Sequence, residues 1–231
     1  MEYIKDEYGK DLLFDSETKF QTMMEWERPY MDALINNLNP VGDVLEIGFG
    51  MGYSANQIQK FDIKSHTIIE DNETVLKKLK EWAAQQKHKV NIVEGCWQDV
   101  LPTLGKFDSI FFDDAPNNKY PDPSNVRLYY FYYAMLLNHA NPGCTFSWYC
   151  DFPIYWIVHP DTDFKLDSFV IDVPSNAAYI STETKNNKML YMPKIIFKNG
   201  TTNNLIPVCL DKNFNIDFLN GLTNKNFYSK L

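Results

Sequence analysis

From Asp43 to Cys150 the chain alternates short, almost wholly apolar runs with longer stretches in which apolar residues return every three or four positions. A continuous apolar run of five or six residues is the pattern of a strand buried on both faces, and the longer period is the stripe of a helix laid on a sheet. "DVLEIG" (43–48) reads as the first buried strand and "YSANQIQKF" as a short helix after it. "HTIIE" (66–70), "KVNIVEG" (89–95), "FDSIFFDDAP" (107–116, stopped by Pro116) and "CTFSWYC" (144–150) read as further strands. Residues 73–86 place Val75, Leu79, Trp82 and Ala83 on one helical face, and "WQDVLPTL" predicts a helical turn broken at Pro102. After the loop "NNKYPDPSN", Ser124 or Asn125 caps an aromatic helix that runs to about Ala140. "LDSFVIDV" and "KMLYMPKIIFK" add two long strands. The pattern predicts an α/β fold: a mostly parallel seven-stranded sheet with helices on both faces.

Three parts follow from this reading: an N-terminal helical lid segment over 1–42, the α/β domain over 43–198, and an Asn-rich C-terminal extension over 199–231. The lid contains "MMEWERPYM" (23–31), which spends a Trp, a Tyr and three Met beside two acids and an arginine. A solvated helix would not carry that many large apolar side chains.

Composition narrows the function. A net charge of −8 argues against gripping nucleic acid, which requires Lys and Arg on phosphates, and suits a small cationic or neutral substrate. Lys77, Lys78 and Lys80 sit among acids and read as a solvated helix face. The start lacks an apolar leader and no run has the length of a membrane span, so the expectation is a cytoplasmic protein without membrane contact. Cys96, Cys144, Cys150 and Cys209 form no CxxC pair and have no metal-type spacing with His66, His88, His139 and His159; no metal site is expected. An aromatic fraction of 15 %, clustered at Tyr129–Tyr133, predicts a thick core or a face for a partner, and leaves a homodimer open.

"EIGFGMGYS" sets Gly48, Gly50 and Gly52 between a buried strand and a helix, where backbone can approach a ligand closely. The spacing is GxGxG, with Tyr53 where a dinucleotide site wants its third glycine, and Glu46 stands just before the loop. Glu70 ends the next strand about 20 residues on, followed by Asp71, where an acid accepts from ribose hydroxyls. Cys96, Trp97 and Gln98 end the third strand and Asp113 the fourth, all at the carboxyl edge of the sheet. With no pyrophosphate to seat, the set favours S-adenosylmethionine over a nicotinamide cofactor.

These motifs carry a resemblance. "MMEWERPYM", "VLEIGFGMGYSA", "HTIIEDNETVLKKLKEWA", "HKVNIVEGCWQDVLPTL" and "FDSIFFDDAP" are similar to the guanidinoacetate N-methyltransferase family, with the fungal arginine delta-N-methyltransferases that share its core, over about residues 22–150. The resemblance implies a Rossmann-like class I methyltransferase fold, S-adenosylmethionine as cofactor and a small-molecule guanidino acceptor. It implies that Asp113 and Glu27 hold the guanidinium, Asp113 as base; Trp26 and Tyr30 beside Glu27, and Asp114 beside Asp113, are further candidates around the acceptor by their place in the sequence. It implies that Glu46, Gly48, Gly50, Gly52, Tyr53, Glu70, Asp71, Cys96, Trp97, Gln98 and Asp113 face the cofactor. The chain departs from the family at Asp114 and Ala115, where members place a Thr and an aromatic, and in "FPIYWIVHPDTDF" after the fifth strand. Guanidinoacetate is therefore one acceptor reading; arginine, free or in a protein, is the alternative. A cofactor-binding module without catalysis is a third. Arg28, where the family has a small residue, is expected to pair with Asp114 or with an acid on the acceptor.

Overall fold

The computed structural model describes residues 1–115, 119–120, 124–151 and 159–202. Pro116, most of the segment after the fifth core strand, Cys209 and nearly all of the C-terminal extension lie outside the described residues.

The first 24 residues form three strands joined by tight turns, not the helical lid that the sequence suggests. β1 (Glu2–Lys5), β2 (Asp11–Asp15) and β3 (Phe20–Met24) form an antiparallel sheet. Local turn chemistry decides this: the Asp6 carboxylate accepts from the Tyr8 and Lys10 amides while Gly9 sits at φ +75°, closing the first hairpin. Asp15 does the same for the second, accepting from Glu17, with Lys19 at φ +61°. Helix appears only after a 3-10 turn at Glu25–Glu27, as α1 (Arg28–Leu38), with Pro29 in its first turn and Asn39 left-handed at its end.

The main sheet is built from β4 (Gly42–Ile47), β5 (Ile63–Glu70), β6 (Lys89–Glu94), β7 (Phe107–Phe112), β8 (Ala140–Trp148), β9 (Thr162–Val170) and β10 (Met189–Phe197). The connecting helices are α2 (Tyr53–Ile58), α3 (Glu73–Ala83), α4 (Trp97–Val100), α5 (Ser124–Ala134) and α6 (Thr182–Asn187). Strand order is β6-β5-β4-β7-β8-β10-β9; the first five are parallel, and β10 runs antiparallel to both neighbours. The parallel strands are the apolar runs read from the sequence, and the Asn72 side chain starts α3 by accepting from Thr74 and Val75 amides.

Two apolar layers cover the sheet. One joins α1, α2 and α3 to Val44, Ile68 and Phe111; the other joins α5 to Leu45, Ile47, Ile110 and Phe146. α5 is apolar on nearly all sides and buried accordingly, so the Tyr129–Tyr133 cluster is core, not a partner face. No helix among the described residues is long and apolar enough to cross a membrane. Strand order reverses between β4 and β7, the place where open α/β sheets leave a crevice beyond their strand ends.

Candidate active site

That crevice is a cavity of about 420 Å³, floored by the glycine loop and the ends of β5, β7 and β8 and roofed by Leu13, Phe20 and Met23 of the N-terminal sheet and by Tyr179. Nine of the fifteen residues picked from the sequence line it: Glu27, Gly48, Gly50, Glu70, Asp71, Cys96, Trp97, Asp113 and Asp114.

The glycine loop is shaped by close backbone contact. Gly48 sits at φ +80°, and a Cβ there would stand 2.2 Å from the Asp113 carbonyl oxygen. Glu70 ties loop and strand end together: one carboxylate oxygen accepts from the Phe49 amide at 3.0 Å and the other from the Asp71 and Asn72 amides at 3.0 and 2.9 Å. Burial raises its pKa above the ordinary carboxylate range despite those three donors. Cys96 opens α4 and its thiol, donating to Asp71 at 3.2 Å, is pushed up to about 12, chiefly by burial.

Two of the lining carboxylates, Glu27 and Asp113, are deeply buried. Glu27 is 2 % exposed; its Oε1 accepts from the Met24 amide and the Tyr179 hydroxyl, each at 2.6 Å, and burial pushes its pKa up to about 7. Asp113 follows β7, fixed by its amide donating to the Ile47 carbonyl at 3.0 Å. Burial, then the charges of Glu27, Glu46 and Asp114, hold its proton well above the usual range. No other described residue donates a hydrogen bond to the Asp113 carboxylate. The lining also carries Glu70, Asp71, Asp114 and Asp151 and, among the described residues, no Lys, Arg or His.

Asp114 is already engaged. The buried Arg127 of α5 donates through Nε to its Oδ2 at 2.7 Å, and the Trp97 indole N–H donates to the same oxygen at 3.1 Å. This corrects the expected Arg28–Asp114 pair: Arg28 is exposed and lies over the Tyr53 ring at 5.6 Å. Trp97 is 2 % exposed and meets Phe112 and Phe131 edge-on, so most of its surface serves the core.

Six residues picked from the sequence do not line the cavity. Glu46 is wholly buried on the opposite face of β4, where it accepts from Ser54 Oγ and lies 2.8 Å from His66 Nε2. Ile47, its neighbour, faces the cavity, and side chains alternate along a strand. Tyr30 is buried too; its hydroxyl donates to the Tyr191 carbonyl at 2.6 Å and accepts from the Cys150 amide at 3.0 Å, pinning α1 to β10. Trp26 stacks against Tyr179, with centroids 6.4 Å apart. Gly52 caps α2 at φ +76°, Tyr53 lines a separate hollow with Tyr3 and Lys78, and Gln98 sits in α4 outside the lining. Conversely, Tyr149, Asp151, Arg127 and Tyr179 belong to the site or its support without any motif to announce them. Tyr149, within "CTFSWYC", and Asp151, just after it, stand at the carboxyl end of the fifth core strand, and that place was their one signal.

Residues 16–153 match the family model described as Guanidinoacetate N-methyltransferase. A protein named Protein arginine N-methyltransferase 2 from Candida glabrata is 36% identical over 155 residues, 63% of this chain and 36% of that protein. The protein of the same name from Saccharomyces cerevisiae is 37% identical over 119 residues, 48% of this chain and 29% of that protein. The chain thus spans about a third of the length of the curated relatives it matches. Among solved structures, a spermidine synthase in complex with the transition state analogue AdoDATO has a TM-score of 0.54 at 17% identity, covering 82% of this chain and 70% of that one. An O-methyltransferase of Streptomyces achromogenes, solved with SAM, has a TM-score of 0.50 at 16% identity, covering 74% and 80%. These two share the fold.

Proposed function

The chain belongs to the guanidinoacetate N-methyltransferase family, and from that premise we propose that it is an S-adenosylmethionine-dependent N-methyltransferase acting on the guanidinium of arginine. The observation that carries this reading is the pair Glu27 and Asp113 facing one buried, acid-lined cavity. Such a pair needs a cation, and a planar guanidinium takes two carboxylates through paired charge-assisted hydrogen bonds.

Arginine is favoured over guanidinoacetate by charge as well as by the relatives' names. Guanidinoacetate brings a carboxylate two bonds from its guanidinium into a lining that offers it acids and no cation. The guanidino group of arginine stands three methylenes from its backbone, far enough to leave any carboxylate outside.

The cofactor fits the other half. Gly48 and Gly50 line the cavity without side chains, which leaves room for its methionine part. Glu70 has lone pairs left for ribose hydroxyls, and the surplus of acids suits a sulfonium. Bound there, S-adenosylmethionine supplies an electrophilic methyl group.

A guanidinium has no free lone pair while it keeps its proton, with a pKa above about 12. Asp113, to whose carboxylate no described residue donates and which burial already makes proton-avid, is the group that takes that proton; Glu27, held by the Met24 amide and the Tyr179 hydroxyl, orients the cation. Methyl transfer to an arginine peptide, free arginine and guanidinoacetate, read by mass spectrometry, tests the reading. An arginine acceptor should be methylated and guanidinoacetate left untouched, with Asp113→Asn slower by about 10²-fold or more. Preference for guanidinoacetate, or full turnover in Asp113→Asn, would overturn it.

A further inference from the structure

Glu27 lies within the stretch that matches the family, but one of its two hydrogen-bond donors does not. The Tyr179 hydroxyl comes from the segment between β9 and α6, beyond residue 153 where the match ends. We propose that Tyr179 is a positioning residue for Glu27, delivered to it by a clasp between that segment and the N-terminal sheet; this rests on Glu27 being one of the two acceptor carboxylates.

The clasp is explicit. The Gln21 amide of β3 donates from Nε2 to the Asn176 carbonyl at 2.9 Å and accepts at Oε1 from the Ala178 amide at 2.7 Å, as a neighbouring strand would. Asn176 Nδ2 donates to Asp6 at 3.0 Å. Ala177 and Ile180 bury themselves against Leu12 and Met24. Tyr179 is thereby turned inward, stacked on Trp26 and tilted on Phe20, with centroids 6.4 and 6.1 Å away. It ends on the same Oε1 that the Met24 amide holds, so Glu27 is gripped from its own turn and from a segment 152 residues away.

The charged and titratable groups around Glu27 are Asp113 from the end of β7, Tyr149 after β8, Tyr53 of α2 and Tyr179 itself. Asp113 repels the Glu27 anion, whereas the Tyr179 hydroxyl stabilises it. Tyr179 therefore fixes the rotamer of Glu27 and keeps it ionisable beside a second acid. Removing the phenol while keeping the ring should release both.

Carboxyl NMR titration of Glu27, identified by its absence in Glu27→Gln, gives the test without requiring turnover. In Tyr179→Phe the proton affinity of Glu27 should rise about tenfold from its value near 7, the loss of one charge-assisted hydrogen bond. The acid limb of kcat/KM for the acceptor should move to higher pH by the same factor, with cofactor affinity unchanged. Gln21→Ala, which removes no side chain that lines the cavity, should shift Glu27 in the same direction by less and add nothing to Tyr179→Phe in the double variant. An unmoved Glu27 titration in Tyr179→Phe overturns the proposal, and a shift that Gln21→Ala shares in no degree overturns the clasp. Full activity in Glu27→Gln would instead remove Glu27 from the acceptor site, whatever the titration shows.

Discussion

Replacing Glu27 by glutamine should stabilise this protein while disabling it, and the stabilisation should depend on pH. Burial raises the Glu27 pKa from the ordinary 4.5 to about 7. The folded state therefore binds more protons than the unfolded one across that window, and stability falls as pH rises through it. Each tenfold difference in proton affinity is worth about 1.4 kcal/mol, so the ionised carboxylate costs the native state on the order of 3 kcal/mol once the pH exceeds 7. Glutamine keeps what the fold uses. The Met24 amide and the Tyr179 hydroxyl donate to the one oxygen Oε1, which an amide carbonyl replaces atom for atom. Thermal unfolding of wild type and variant at pH 5 and pH 8 should show the variant's advantage growing by about 2–3 kcal/mol, roughly 5–10 °C for a chain of this size. Acceptor binding should be lost, since an amide cannot pair with a guanidinium as a carboxylate does. A difference in stability that stays constant with pH, or a variant less stable at both values, would refute the assignment of a buried, proton-avid Glu27.

Two further substitutions probe the strand end. Arg127→Met leaves Asp114 buried without its cation and should cost about 3–5 kcal/mol in urea unfolding, with Asp114→Asn in the same chain restoring part of it. Gly48→Ala should abolish methyl transfer, because its Cβ would strike the Asp113 carbonyl at 2.2 Å. Gly143→Ala, at φ +82° with nothing within 4 Å, should cost only about 1 kcal/mol of backbone strain and leave activity intact.

The parallel core was legible because strands buried on both faces must be continuously apolar, and "DVLEIG", "HTIIE" and "FDSIFF" are. The cavity lining was legible in part, because glycines and acids fall at strand ends: Gly48, Gly50, Glu70, Asp71 and Asp113 line it, whereas Glu46, Gly52, Tyr53 and Gln98 do not. The N-terminal strands were not, since four or five residues with mixed polarity carry no period, and two Asp-centred turns outweighed helix propensity. Glu46 was misplaced by reading its nearness along the chain as nearness in space, when the alternation of β4 already sent it to the side opposite Ile47. Tyr179 lay beyond reach because its role depends on a partner 152 positions earlier.

The clasp between Gln21 and the segment at Asn176 has a consequence in time. It joins residues 155 apart, and closing a loop of that length costs an entropy that local turns do not, about 4–5 kcal/mol from the logarithmic dependence on length. Contacts of such high order form late, after β4, β5, β6 and β7 have paired with neighbours near in sequence. A nascent chain that has emerged only as far as β8 already holds the glycine loop, Glu70 and Asp113, yet has no Tyr179 to grip Glu27. The glycine loop, Glu70 and Asp113 thus come together first, and Glu27 gains its Tyr179 partner only when the two distant segments meet.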